Sequence, residues 1–582
     1  MKKYLKYSVL SVVFLSMTAC QEEFLEFVPE DQSTVGGWYR NADEIRQATA
    51  GLYGGTWWGY TDQLQWLSGD LLSGDIIYNF DQEGQYFFNS YNSTNRHLET
   101  GWRGLYDVVT NSNLIIDDMP SVAAGYGVSE EVINEGLGEA RFFRGATYYL
   151  LAEHWGAVPI LENPAAKISA QELQLPRNTV EDVYEFARRD LAFAADNLPT
   201  SDDPGRVTSW SAKGMLAKLH VTMGHRFGDP AEFTTAAAYA SDVINNSGLS
   251  LASSYEDLFK FENEHDPEVL WAIENVANGW GTGSSRMTRW GRSVETTGGN
   301  AWGGGISMTI NYQENVESNA EGLIDERRRA IYMQNGDFYD YLNVANGGYT
   351  YEIVVRDEAN EVVNGYNNGL SNLKKHVVGN DADLGGVLVT NQDSPFNIYM
   401  LRLADVYLLL AEAELGAGAS ISGGPGYQAY LDVRARAGLN PPADGDMTYE
   451  DLFNERRVEL GLEAQTWFSI KRWYYKSPAQ ALNFLNNQAR SLRYITVLDG
   501  DQTNDINDYE LVYSPNDETN PPCAPDCFDD MPEVMGPEST NGSTHNESVN
   551  MFTDSNMSLP LPNVELNANP KLGEEPVPYF NE

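Results

Sequence analysis

Apolar residues recur at every third or fourth position over long stretches of this chain, and that period limits the fold more than any other feature. Between Thr179 and Leu198 the stripe is Tyr184, Ala187, Leu191, Ala194 and Leu198, one face of an α-helix. Thr179 ahead of Glu181 and Asp182 marks its start, because a hydroxyl can accept from the free backbone N–H groups and acids suit the positive first turn. Pro199 stops the helix, and Ser201-Asp202-Asp203-Pro204-Gly205 turns the chain into a second helical pattern from Trp210 to Met223. Leu401, Ala404, Leu408, Ala411 and Leu415 make another stripe, followed by a glycine-rich turn and a short helix from Tyr427 to Ala437. Together these predict a mostly α fold, a scaffold of helix pairs of tetratricopeptide-like length carrying long irregular loops. The strict repeat consensus is absent.

Two regions break the period. From Trp280 to Tyr351 the chain is rich in Gly, Asn, Thr, Trp and Tyr; from Asp499 to Met557 it is acidic, with many Asn, Pro and Ser. Loops this long in a folded domain are functional or disordered. The aromatic content of the first argues for function.

The N-terminal residues read as a targeting segment. Lys2, Lys3 and Lys6 precede an apolar run from Tyr7 to Met17, too short to span a bilayer, and Met17-Thr18-Ala19-Cys20 resembles a bacterial lipobox. The expectation is a signal peptide over residues 1–19, a lipid on Cys20 and a mature chain displayed on the outer face of the outer membrane. Gln21-Glu22-Glu23 resembles the acidic export tags of such lipoproteins. Cys523 and Cys527 lie close together in an oxidising compartment, where a local disulfide is the plain reading.

The formal net charge of −46 argues against nucleic acid, whose phosphates need a basic surface. It favours a neutral ligand over an anionic polymer.

Several blocks carry a family resemblance. Gly138-Glu139-Ala140-Arg141-Phe142-Phe143-Arg144-Gly145-Ala146, running on to Trp155-Gly156-Ala157-Val158-Pro159, is similar to a helix in the N-terminal half of RagB/SusD proteins. Trp102-Arg103-Gly104-Leu105-Tyr106 resembles the helix before it, and Ala212-Lys213-Gly214-Met215-Leu216 the next. Arg402-Leu403-Ala404-Asp405-Val406-Tyr407, Val433-Arg434-Ala435-Arg436-Ala437-Gly438 and Glu455-Arg456-Arg457-Val458-Glu459-Leu460 follow in family order. Trp467 to Trp473 and Leu559-Pro560-Leu561-Pro562 complete the set. The resemblance implies an N-terminal part over residues 20–225 and a C-terminal part over 226–582, packed as one unit. It further implies a non-enzymatic glycan-binding lipoprotein that captures poly- or oligosaccharide and delivers it to a SusC-like TonB-dependent transporter. A surface glycoside hydrolase or lyase, or a helical-repeat adaptor that binds protein, are the alternatives.

Glu455, Glu459 and Glu463 fall four apart, and with Arg456, Arg457 and Lys471 nearby they read as an ion-pair network rather than catalytic carboxylates. Trp102, Trp155, Trp271, Trp467 and Trp473 sit in helical blocks and are expected in the core. No nucleophile elbow, zinc-protease motif or phosphate loop is present in the sequence.

Sugar binding makes a different demand: aromatic planes for the C–H face of the ring, and amides, carboxylates or arginines for the hydroxyls. Trp280, Arg286, Arg289, Trp290 and Trp302, spaced by glycines, are the first candidates. Tyr86, Tyr91 and Asn92 in the segment from Gln85 to Asn92 are the second. A structural calcium ion is the one cofactor suggested. Asp499, Asp501, Thr503, Asp505 and Glu510 have the spacing of an EF-hand loop, although flanking helices are not evident.

Overall fold

In the computed structural model the described residues are 37–78, 80–277, 281–291, 296–297, 301, 306–317, 325–334, 336–351, 354–356, 362–365, 371–389, 392–488, 490, 494–497, 509–512 and 549–580. Helices α1 (Ala42–Ala50), α2 (Asp81–Phe87), α3 (Arg96–Gly125), α4 (Glu130–Trp155), α5 (Val180–Asn197), α6 (Ser209–Phe227) and α7 (Pro230–Asn246) occupy the first part. After them come α8 (Arg286–Trp290), α9 (Leu403–Leu415), α10 (Pro425–Arg436), α11 (Tyr449–Glu459), α12 (Thr466–Lys476) and α13 (Pro478–Asn487). From α3 to α7 each helix packs on its predecessor. Helix α9 continues the stack against α6 and α7, then carries α10 and α11. The result is the expected tetratricopeptide-like scaffold, and helices from both sides of residue 225 contribute to it.

The ends of these helices follow from their capping residues. The Thr179 side chain accepts from the Asp182 N–H at the start of α5. Thr208 and Ser211 form a reciprocal box at α6, which ends at Gly228 with φ 68°, a left-handed value that glycine adopts without strain. Asp229 caps α7, with Pro230 as its first residue.

Two expectations are corrected. Leu401 does not belong to the α9 stripe but to strand β2 (Ile398–Arg402), and Trp271 lies on β1 (Val269–Ile273), not in a helix. The two strands pair antiparallel. Both are short and buried on both faces, so their apolar runs carry no period that tells strand from helix. All five motif tryptophans are buried, as expected for core residues.

The ion-pair network exists, but its partners are not the neighbours in sequence. Glu455 pairs with Arg327 at 2.5 Å and Arg434 at 2.9 Å; Glu459 pairs with Arg402 at 2.9 Å and also with Arg436 and Arg327. Glu463 pairs with Arg402 and Lys375, both at 2.8 Å, and Glu268 with Arg402 at 2.6 Å. Arg456 instead reaches Asp405, Arg457 reaches Asp75, and Lys471 donates to the Glu153 carbonyl. Among the described residues no helix is long and apolar enough to cross a membrane.

Burial opposes ionisation of Glu459, but Arg436, Arg402 and Arg327 outweigh it and hold the carboxyl well below the usual glutamate range. Glu459→Gln leaves buried guanidinium charge uncompensated and is expected to cost about 3–5 kcal/mol in urea unfolding. A depressed carboxylate contributes fully above its ordinary value of 4.5 and loses that contribution as pH falls toward about 2. The same substitution therefore flattens the acid limb of the stability profile.

Candidate functional site

A run of aromatic rings leads from the core to the surface beside the N-terminus of α2. Trp290, at the end of α8, meets the Trp66 ring edge-on at 6.1 Å; Trp66 meets Tyr78 at 6.1 Å; Tyr78 meets Phe80 at 6.2 Å. Trp290 and Trp66 are fully buried, Tyr78 is half-buried and Phe80 is 63% exposed. Phe80 is the extended residue before α2, so its backbone is set by the helix start, and its ring meets Tyr78. An apolar plane in water with rigid support is what a ligand's apolar face requires.

Polar groups are fixed beside the run, with Arg289 within electrostatic reach of Tyr78. The Arg289 guanidinium lies 3.2 Å from the Ser285 hydroxyl, 3.4 Å from the Gln392 carbonyl oxygen and 3.8 Å from the Asp62 carboxylate. Ser285 in turn donates to Asp62 at 2.5 Å. With its amide oriented oxygen-first, Gln63 accepts from Arg289 at 2.5–3.1 Å. Burial raises the Tyr78 hydroxyl above its ordinary pKa, with Glu83 adding to the effect and Arg289 opposing it, so Tyr78 stays a protonated donor.

Behind the surface the chemistry is structural. Arg286 is fully buried, donates to Gln65 at 2.7 Å and lies 3.1 Å from a His376 ring nitrogen. Burial pushes its guanidinium down to about 10, and burial together with Arg286 holds His376 well below the ordinary histidine value. The imidazole is neutral and packs edge-on against Trp290 at 5.0 Å.

The candidates from sequence separate accordingly. Trp290 is 0% exposed and is a core residue, not a stacking platform: Arg286 to Trp290 coil into one helical turn that folds the ring inward. Tyr86 is likewise fully buried, stacked on Tyr91 at 4.9 Å, and the Tyr91 hydroxyl is itself enclosed. Asn92 is exposed, where its side-chain oxygen accepts from the Thr94 N–H and hydroxyl. Trp280 and Trp302 lie outside the described residues, as do Cys20, Cys523 and Cys527. So do Asp499, Asp501, Thr503 and Asp505 of the suggested calcium loop. Glu510 lies on strand β4 (Tyr509–Val512), opposite Thr496 of β3 (Tyr494–Val497), where an EF-hand would have a helix. Among the described residues no group of three or more His, Cys, Asp or Glu is arranged to hold a metal.

Sequence reasoning missed Tyr78 and Phe80. The available signal was Tyr78-x-Phe80 just ahead of the helix start Asp81-Gln82-Glu83, an extended segment where the second ring lies beyond the buried strand Ile76–Ile77.

Comparison with known proteins decides the relationship. The SusD family profile matches residues 267–577, and a second profile, described as starch-binding and associating with the outer membrane, matches residues 63–221. A SusD-like protein of Bacteroides ovatus is 32% identical, covering 99% of both chains. The chain belongs to the SusD family. SusD-like protein P25 of Formosa agariphila is 24% identical over 80% of this chain and 89% of its own. A solved structure with xylogluco-oligosaccharide superposes with a TM-score of 0.74 at 31% identity, covering 92% of this chain and all of that one. A SusD homologue from Bacteroides thetaiotaomicron, 20% identical with a TM-score of 0.60, covers 78% of this chain and 91% of its own and shares the fold.

The two ends of the aromatic run respond differently to truncation. Trp290→Ala is expected to lose about 3–5 kcal/mol by opening a cavity. Phe80→Ala is expected to unfold within about 0.5 kcal/mol of the parent protein. Urea melts of the two variants side by side check both.

Proposed function

We propose that this SusD-family chain binds neutral poly- or oligosaccharide on the outer face of the outer membrane, held there by lipid on Cys20, and delivers it to a SusC-like TonB-dependent transporter. The observation that carries the binding half is Phe80. It is an exposed ring braced by Tyr78, with the Arg289, Asp62 and Gln63 cluster packed close to the same aromatic run. A sugar ring would stack on Phe80, and its hydroxyls would meet charged and amide groups whose positions are already fixed, so little ordering cost falls on the protein. Trp280 and Trp302 flank α8 in sequence and Asn92 follows α2, which keeps all three as proposed further contacts. The solved structure at 31% identity was obtained with xylogluco-oligosaccharide, a neutral glycan, in keeping with the acidic composition.

Calorimetric titration with xylogluco-oligosaccharide tests the platform. Phe80→Ala is expected to weaken binding about tenfold, equivalent to about 1.4 kcal/mol, with an unchanged melting temperature. Equal affinity in the two proteins removes Phe80 from the site. For the anchor, labelled palmitate is expected in the wild-type protein and not in Cys20→Ser, and protease added to intact cells is expected to reach only a surface-displayed chain. Absence of label from the wild type overturns the anchor.

A further inference from the structure

Helix α2 has Phe80 just before its first residue and Asn89 just beyond its last turn. At a rise of 1.5 Å per residue these ends stand roughly 10–14 Å apart. Near the Asn89 end, a cleft of about 360 Å³ opens between the C-terminus of α13 and the segment from Val549 to Met551. Its lining is rich in amides: Asn486, Asn487, Gln488 and Asn550, with the apolar Met551 side chain 73% exposed among them.

The walls are held rigidly. Asn486 clamps the Phe552 backbone from both sides, donating to its carbonyl at 3.1 Å and accepting from its N–H at 2.8 Å. Asn550 and Asn89 exchange side-chain donors for each other's carbonyls at 3.1 and 3.2 Å, and the Asn550 N–H donates to Phe88 at 2.9 Å. Gln488 donates to the Ser73 carbonyl at 3.0 Å, and its side-chain oxygen is enclosed against the Gly74 backbone beside Arg490.

The recognising chemistry is that of a polyol. An amide carries a planar acceptor and two donors, and the amide capacity that the walls leave unused matches neighbouring hydroxyls. A thioether side chain packs against an apolar C–H face without fixing its orientation. The volume lies at the lower end of the ligand-pocket range, room for roughly one or two sugar rings. We infer that this cleft is a second sugar subsite, engaging a different residue of the same neutral glycan that Phe80 contacts. The inference rests on the glycan-binding reading, and the test separates the two.

Asn487→Ala/Met551→Ala removes two groups with no role in the described walls, since among the described residues Asn487 bonds to Asn483 of its own helix and Met551 is exposed. Wild type, Phe80→Ala and this double variant are titrated with cellobiose and with short and long xylogluco-oligosaccharides, with melting temperatures measured alongside. The double variant is expected to lose about tenfold in affinity for the long oligosaccharide while binding the shortest probe as wild type does. Wild-type affinity for every probe overturns the subsite and leaves the Phe80 platform standing. Loss in the double variant with none in Phe80→Ala supports the cleft and overturns the platform. No binding of any probe by wild type overturns both.

Discussion

Arg402 is fully buried, and the fold is arranged around keeping it charged. Its guanidinium reaches Glu268 ahead of β1, Glu459 at the end of α11 and Glu463 just past it, and it also donates to the Glu459 carbonyl at 2.7 Å. Each of these ions lost several kcal/mol of hydration on burial, and only the complete set returns it. Arg436 from α10 and Arg327, which precedes a short helix, close the network from the other side. Elements far apart in the chain are therefore satisfied together or not at all. The burial of Asp405 between Lys218 and Arg456, and of Glu412 beside Arg472, repeats the device between α6, α9, α11 and α12.

The helices were legible because their signals are local. Thr179 with Glu181 and Asp182 announces α5, and Pro199 ends it within a residue of the observed boundary. The glutamates spaced by four announced an ion-pair network for the same reason. Their partners were hidden, since Arg402 stands 57 residues from Glu459 and Arg327 stands 128 from Glu455, separations over which spacing says nothing.

Among the candidate sugar contacts, Trp290 and Tyr86 prove to be buried, while Trp280 and Trp302 lie outside the described residues. Glycines around Trp290 give the composition of an open loop, while Arg286-Met287-Thr288-Arg289-Trp290 makes one helical turn, too short for periodicity to register. Tyr86, a candidate sugar contact from the sequence, is instead on α2 and faces the core. Phe80 escaped notice because its signal, an aromatic just ahead of a helix start, does not by itself say which of several neighbouring rings stays in water. Exposure is decided by packing, and packing appears only with the whole fold.

The burial of Trp290 also bears on how such a surface can diversify. The ring is locked between Trp66, His376 and Arg286, so the chain on either side of α8 departs from a fixed post. Residues beyond that post can be exchanged with little effect on the helical stack, because the tie to the core is concentrated in one helical turn, where Ser285, Arg286, Met287 and Thr288 are buried with Trp290. Altered ligand preference and retained foldability are in this way separable properties, adjustable by mutation one at a time.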